Sequence, residues 1–128
     1  MSQYDDTLKD INKTLGLVPG FMKALPEEVP IHDWVLFKKC NFEETEIPEK
    51  YRELMGLAVA ANIKCPYCQL MHRNMAKGAG ATADELAETA FLASYTSRWS
   101  AMLHAQNYDM ARFEKEVQQI GEHLSKKK

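Results

Sequence analysis

Residues 53–72 read ELMGLAVAANIKCPYCQLMH, and this stretch decides both the fold and the candidate site. Glu53 is followed by eleven residues and then by two cysteines, Cys65 and Cys68, with His72 four residues after the second cysteine. Two thiols at this spacing can close a disulfide with little movement of the backbone. A histidine one helical turn past a thiol can take its proton, and a carboxylate can orient that histidine. The pattern therefore predicts an activated-thiol site.

The same stretch predicts a helical hairpin. Pro48 suits the first turn of a helix that runs to about residue 62, because the missing N–H of proline does no harm there. Pro66 suits the first turn of a second helix, which starts at the first cysteine and runs to about residue 77. The connection at residues 63–64 is short, which favours an antiparallel pair of helices.

This hairpin would bring the carboxylate and the imidazole together. At ~1.5 Å rise per residue, Glu53 and His72 each lie roughly 12–15 Å from the turn, side by side across the pair. A contact between them would fix the tautomer of the imidazole and raise its basicity. Cys68 lies four residues before His72 and thus on the same helical face, so the other ring nitrogen would favour its thiolate form.

Composition and charge limit the classes to which this protein can belong. A chain of 128 residues that is 45% hydrophobic is expected to form one domain with its own core. The net charge of −2 and the lack of a basic stripe make nucleic acid an unsuitable partner. Residues 1–13 contain no continuous apolar run, so we expect neither a signal peptide nor a membrane anchor. Three cysteines, an odd number, fit a reducing cytoplasm better than a secreted disulfide framework.

The rest of the chain is expected to be helical as well, because no run of alternating β-branched residues or hairpin signal is present. We therefore predict an all-α fold with a single domain over residues 1–128. It would consist of an N-terminal helical lead-in (1–45), a core with the redox motif (47–95) and C-terminal helices (96–124). The run 54–61 is apolar nearly all round, which predicts a helix buried on every side. Cys40 is expected to be a small core side chain.

Either sulfur could be the nucleophile. Cys65 lies at a helix N-terminus, where the helix dipole favours a thiolate by ~0.3–1 kcal/mol. Cys68 has a specific base, His72, within reach on the same face. Because a base within hydrogen-bond distance usually outweighs the dipole, we expect Cys68 to attack and Cys65 to resolve.

A structural zinc site is the main alternative for the two cysteines, with His72 and a fourth ligand such as His104. Structural zinc usually takes its ligands from separate elements, whereas here three would come from the opening turns of one helix. Haem attachment is excluded because Gln69, not histidine, follows the second cysteine. We expect no metal and no bound cofactor.

The spacing of glutamate, eleven residues, Cys-x-x-Cys, three residues and histidine resembles the signature of the alkylhydroperoxidase AhpD-like family, which is related to the carboxymuconolactone decarboxylases. The resemblance covers residues 47–95. It includes the apolar run 54–58 before the motif, the Gly78-Ala79 break and the helical segment 85–88 after it. Residues 1–45 resemble the N-terminal part of the family more weakly.

The resemblance implies an all-helical fold, assembly into homotrimers or homohexamers, and thiol-dependent peroxidase or disulfide-reductase chemistry. By the same resemblance Cys68 attacks the peroxide and Cys65 resolves it, with His72 as base and Glu53 in the proton relay. Reducing equivalents come, in the family, from a lipoyl-type dithiol carried by another protein. The decarboxylase branch lacks the cysteine pair, so decarboxylation is disfavoured.

One position departs from the pattern. The peroxidase that this motif resembles has a second histidine directly before the attacking cysteine, whereas this chain has Tyr67. The expected function is reduction of hydroperoxides by the dithiol pair, with a membrane surface excluded as partner. Two alternatives stay open: a disulfide reductase for which peroxide is irrelevant, and a non-catalytic oligomeric protein whose cysteine pair senses redox state.

Overall fold

The computed structural model describes residues 1–127, which form seven α-helices and no β-strand. The all-α prediction is confirmed. None of the helices within this range combines the length and apolar character that a membrane crossing requires. The helices are α1 (Gln3–Leu15), α2 (Gly20–Lys23), α3 (Glu28–Phe42), α4 (Glu49–Asn62), α5 (Pro66–Gly78), α6 (Ala83–Ala105) and α7 (Met110–Ser125).

The N-terminal helices form a small core of their own. Ile11 of α1, Met22 of α2 and Trp34 of α3 are buried against one another. Asp10 joins α1 to α3 as well, because the Trp34 indole N–H donates to its carboxylate over 2.7 Å and the Lys38 ammonium lies 3.0 Å away. The indole hydrogen bond and then the ammonium lower the pKa of Asp10 below its ordinary value. The lead-in is therefore a packed unit rather than a loose extension.

Helices α4 and α5 form the expected antiparallel hairpin. Pro48 precedes α4 and Pro66 is the first residue of α5, as their fixed φ favours. Lys64 takes a positive φ of 59° in the turn between them. Near this turn the Gln69 side chain donates to the backbone carbonyl of Ala60 over 3.3 Å, which pins the start of α5 to the end of α4.

An arginine fastens α4 to the C-terminal end of α3. The Arg52 guanidinium donates to the backbone carbonyls of Lys39, Cys40 and Glu43 at the end of α3, where helix carbonyls run short of partners within the helix. The expectation that Cys40 belongs to the core is wrong, because its side chain is exposed. Helix α3 turns its buried Trp34 toward α1, and within residues 1–127 the thiol of Cys40 stays accessible to solvent.

Helix α6 is a single rod of 23 residues that packs along α4. Its N-terminus is capped by the side chain of Thr82, which accepts from the N–H of Glu85 over 3.0 Å. It ends where Asn107 takes a positive φ of 48°, and the Asp109 side chain then caps α7 by accepting from the N–H of Arg112. The C-terminal region 96–124, which was expected to be helical, thus belongs to two helices, and the first of them is continuous with the helix that begins after Thr82.

The prediction that α4 is buried on every side is wrong for the isolated chain. Only Glu53 and Ala60 of this helix are buried, whereas Met55 and Val59 are more than half exposed. Helices α5 and α6 cover two faces of α4, and no described element covers the face that carries these two side chains. The periodicity identified an apolar helix correctly but could not say what lies against it.

Candidate functional site

The two motif cysteines lie at the start of α5 and are joined as a disulfide. Their Cα atoms are 5.4 Å apart, as the spacing of three residues at a helix N-terminus allows. Cys65 is the N-cap residue of α5, and its Sγ accepts the backbone N–H of Cys68 over 3.2 Å. Both residues are partly accessible to solvent. The arrangement can therefore support reversible thiol–disulfide chemistry at the surface of the hairpin.

The expected contact between carboxylate and imidazole is present. Glu53 Oε2 lies 2.7 Å from His72 Nδ1, across the α4–α5 pair. The Glu53 side chain is only 2% exposed, whereas that of His72 is 28% exposed. A carboxylate accepts, so the contact places the imidazole proton on Nδ1 and leaves Nε2 free to take a proton from another group.

His72 is not hydrogen-bonded to either sulfur. Among residues 1–127 the ring makes one hydrogen bond, the contact to Glu53, and the two sulfurs are bonded to each other. The prediction that the basic nitrogen faces Cys68 concerns the reduced form, in which the sulfurs are free. In the oxidised form the site holds the carboxylate–imidazole pair and the disulfide as two neighbouring parts on one hairpin.

Tyr67, which departs from the expected pattern, is 85% exposed. It lies between the two cysteines and makes no hydrogen bond with the Glu53–His72 pair in the described part of the chain. The tyrosine therefore does not extend the carboxylate–imidazole pair as a second histidine could. It instead presents an aromatic ring at the protein surface beside the disulfide.

The zinc alternative finds no support in the geometry. Over residues 1–127 there is no cluster of three or more histidine, cysteine, aspartate or glutamate side chains placed to hold a metal ion. His104, the suggested fourth ligand, lies in the last turn of α6 with its Nδ1 2.8 Å from the carbonyl oxygen of Ser100. The disulfide also occupies the two sulfurs that would have been ligands.

A groove of about 330 Å³ lies where α4, α5 and α6 meet, and sequence reasoning did not find it. It includes Lys64 and Gln69, which flank the cysteine pair in the sequence, and Arg73, one turn after Gln69. Its apolar wall consists of Leu57, Ala58, Ala61, Leu86, Ala90 and Ala93. The signal in the sequence was the run of small residues on α4 and α6, which keeps this space open.

A second cleft, of about 370 Å³, lies between the end of α6 and the start of α7. Trp99 lines it together with Tyr108 and Phe113, whereas Tyr95 and Arg98 are not among the lining residues. This cleft contains none of the motif residues. It is a separate feature of the C-terminal helices.

Comparison with known proteins agrees with this geometry. The sequence model of the carboxymuconolactone decarboxylase family matches residues 32–108, which include the whole motif. The crystal structure of the alkylhydroperoxidase AhpD core from Rhodospirillum rubrum ATCC 11170 superposes with a TM-score of 0.72 and 22% sequence identity, over 84% of this chain and 82% of that one. No curated protein matches the sequence significantly. The chain therefore belongs to the carboxymuconolactone decarboxylase family, has the fold of the AhpD core, and carries the cysteine pair Cys65–Cys68.

Proposed function

We propose that this protein is a thiol-dependent peroxidase that reduces hydroperoxides through a dithiol–disulfide cycle of Cys65 and Cys68. His72 and Glu53 form its proton relay. The observation that carries the proposal is the 2.7 Å contact between the buried Glu53 and the His72 Nδ1, on the hairpin that also holds the disulfide. A buried carboxylate is expensive to keep, so its pairing with this histidine is more than a surface contact.

In the first step the reduced Cys68 passes its proton to Nε2 of His72, whose opposite nitrogen is held by Glu53. The thiolate attacks one oxygen of the hydroperoxide, the S–O bond forms and the O–O bond breaks. The leaving alkoxide takes the proton from the imidazolium and departs as an alcohol. Cys68 is left as a sulfenic acid, oxidised by two electrons, and His72 is neutral again.

In the second step Cys65 attacks the sulfur of the sulfenic acid. The S–S bond forms and the S–O bond breaks, and the hydroxide that leaves takes up the thiol proton of Cys65 to become water. In the disulfide the Cys68 N–H donates to the Cys65 Sγ, and the same hydrogen bond in the reduced protein would favour negative charge on the resolving sulfur. An external dithiol, such as a lipoyl group on another protein, then reduces the disulfide by exchange. Because this regeneration needs a reducing compartment, we place the protein in the cytoplasm.

The groove between α4, α5 and α6 favours an organic peroxide as substrate. Neither motif cysteine lines it, but Lys64 and Gln69, the residues next to the cysteine pair in the sequence, do. Its wall is mostly aliphatic, and about 330 Å³ suits a small organic molecule better than hydrogen peroxide alone. Lys64 and Arg73 lie at this groove and form no ion pair in the described part of the chain. Both cations would favour a substrate with a negatively charged group at one end.

The proposal is tested by mapping thiols after oxidation. The reduced protein receives one equivalent of an organic hydroperoxide, is alkylated, and is digested for mass spectrometry. We expect rapid loss of Cys65 and Cys68 as a disulfide while Cys40 stays free. The exposed Cys40 is an internal control, since accessibility alone would make it react as well. Slow or unselective oxidation would contradict peroxidase function, and rapid turnover of a disulfide substrate with the same donor would assign the site to disulfide reduction.

We further propose that the working form is a homo-oligomer. The chain exposes 9808 Å², whereas a folded monomer of 14.6 kDa exposes about 6,900 Å². The excess, about 2,900 Å², is larger than the roughly 800 Å² that each partner buries in a standard interface. A surface this large fits a chain that is completed by further copies of itself.

Helix α7 offers a surface to which such a copy would bind. Its apolar side chains follow a 3-4-3-4 spacing on one face and are between 38% and 73% exposed; they are Met110, Phe113, Val117, Ile120 and Leu124. This is the seam that two helices bury against each other in a coiled coil. None of the described residues of α7 is buried within its own chain. The same helix of a second copy offers the matching seam.

A charge in this seam should separate the copies. We expect the wild-type protein to elute above the 14.6 kDa of one chain, and Ile120→Glu to move the mass toward the monomer, because an unpaired carboxylate would be buried in the interface. Light scattering after size exclusion measures the mass. Gln119→Glu, which adds the same charge beside the seam on the same helix, is the matched control and should stay assembled. A monomeric wild type at micromolar concentration would contradict the proposal.

A further inference from the structure

Gly56 of α4 lies directly beneath the imidazole of His72. A Cβ atom built on Gly56 would lie 2.6 Å from Cε1, 2.7 Å from Nδ1 and 2.7 Å from Nε2 of that ring. These distances are well below van der Waals contact. No other glycine of the described chain has a side chain or backbone atom within 4 Å of such a Cβ. Only hydrogen at this position lets the ring lie flat against α4.

We propose that Gly56 is a positioning residue for the relay, a role that rests on the proposed function of His72. It lies three residues, less than one helical turn, after Glu53, so both contact the same imidazole from one helix. The carboxylate holds Nδ1 and the bare backbone of Gly56 supports the ring. Together they define one position and one tautomer for the base.

The close approach has no other evident purpose. Glycine in the interior of a helix is unfavourable relative to alanine, so at most positions alanine would be the better residue. The atoms in its way belong to a side-chain ring and not to the backbone, and a ring can rotate aside. An added methyl group would therefore leave the helices in place and move the imidazole. The 2.7 Å contact to Glu53 would not survive that movement.

The test is Gly56→Ala, with Gly121→Ala as the matched control. Gly121 is also inside a helix, and nothing lies within 4 Å of a Cβ at that position.

Two quantities are measured on the reduced proteins: the tautomer of His72 by nitrogen NMR, and the rate of Cys68 alkylation between pH 6 and 9. For Gly56→Ala we expect loss of the single Nδ1–H tautomer. We also expect the midpoint of the alkylation profile to rise toward the ~8.5 of a free thiol, with about a tenfold lower rate at pH 7. Gly121→Ala should match the wild type in both the His72 tautomer and the alkylation profile of Cys68.

The outcomes separate the inference from the proposed function. An unchanged His72 tautomer in Gly56→Ala would overturn the positioning role. A changed tautomer with an unchanged alkylation profile would support the positioning role and remove His72 from the proposed relay. The folding of the variant is checked by combining it with His72→Ala. With the ring gone, Gly56→Ala should raise the unfolding midpoint, whereas with the ring present it should not; a rise in both backgrounds would show that the methyl group meets no obstacle.

Discussion

Replacing either motif cysteine with serine should abolish hydroperoxide turnover in the presence of a dithiol donor. Without Cys68 the attacking thiolate is missing, and serine cannot replace it because its hydroxyl is not ionised at neutral pH. Without Cys65 the sulfenic acid on Cys68 forms once and cannot close to the disulfide, so the enzyme stops after one turnover. We expect a loss of at least about 10³-fold in steady-state rate for each variant, measured by consumption of the hydroperoxide.

The two variants should differ in the first turnover. Cys65→Ser is expected to consume one equivalent of peroxide in a burst and to retain a sulfenic acid that a dimedone probe captures. Cys68→Ser is expected to show no burst. Cys40→Ser serves as control, since this exposed thiol lies outside the pair and should leave the rate unchanged. A burst in Cys68→Ser and none in Cys65→Ser would reverse the two roles, and activity that survives in both would exclude the mechanism.

The hairpin and its pairing of Glu53 with His72 could be predicted because they depend on local rules. Two prolines mark the helix starts, a short connection fixes the antiparallel direction, and the rise per residue then determines which side chains meet. Every quantity in that prediction comes from the residues of the hairpin itself.

The burial of the apolar surfaces could not be predicted in the same way. Periodicity shows that Val59 and Cys40 suit an apolar environment, but it does not show which neighbour covers them. In the isolated chain both are exposed. The break between α6 and α7 is also weakly marked in the sequence, because residues 106–109 contain neither proline nor glycine. The break there depends on Asn107 in a left-handed conformation and on the Asp109 cap, which are weaker signals than a glycine.

The close approach of Gly56 to His72 was beyond prediction for a different reason. In the sequence Gly56 is one of several small residues in the segment 54–61, and such residues indicate only that a neighbouring backbone can approach the helix closely. The structure shows that the neighbour is an imidazole ring and not a backbone. Spacing rules give the face on which a side chain lies, but the rotamer that places a ring over a bare backbone depends on all the contacts around it.

Removing His72 should destabilise the protein more than neutralising Glu53. The carboxylate is the buried member of the pair, at 2% exposure, so His72→Ala leaves a buried charge without its partner. We expect the free energy of unfolding to fall by about 3 kcal/mol, the lower end of the range for removing one partner of a buried ion pair. Glu53→Gln removes the charge and leaves a partly exposed histidine, which should cost about 1 kcal/mol. Urea unfolding of the reduced proteins measures both.

The double variant with both changes provides the control, because it removes the buried charge together with its partner. We expect the double variant to be more stable than His72→Ala alone. If the two losses were simply additive, it would instead be the least stable of the three variants. Both single variants should also slow alkylation of Cys68 at pH 7, by up to about 30-fold, the loss expected when the pKa of a fully ionised thiol returns to the ~8.5 of a free thiol. Additive losses in stability would mean that Glu53 and His72 do not act as a pair. Normal alkylation in Glu53→Gln, with stability changed as expected, would leave the buried carboxylate a structural role and take it out of the chemistry.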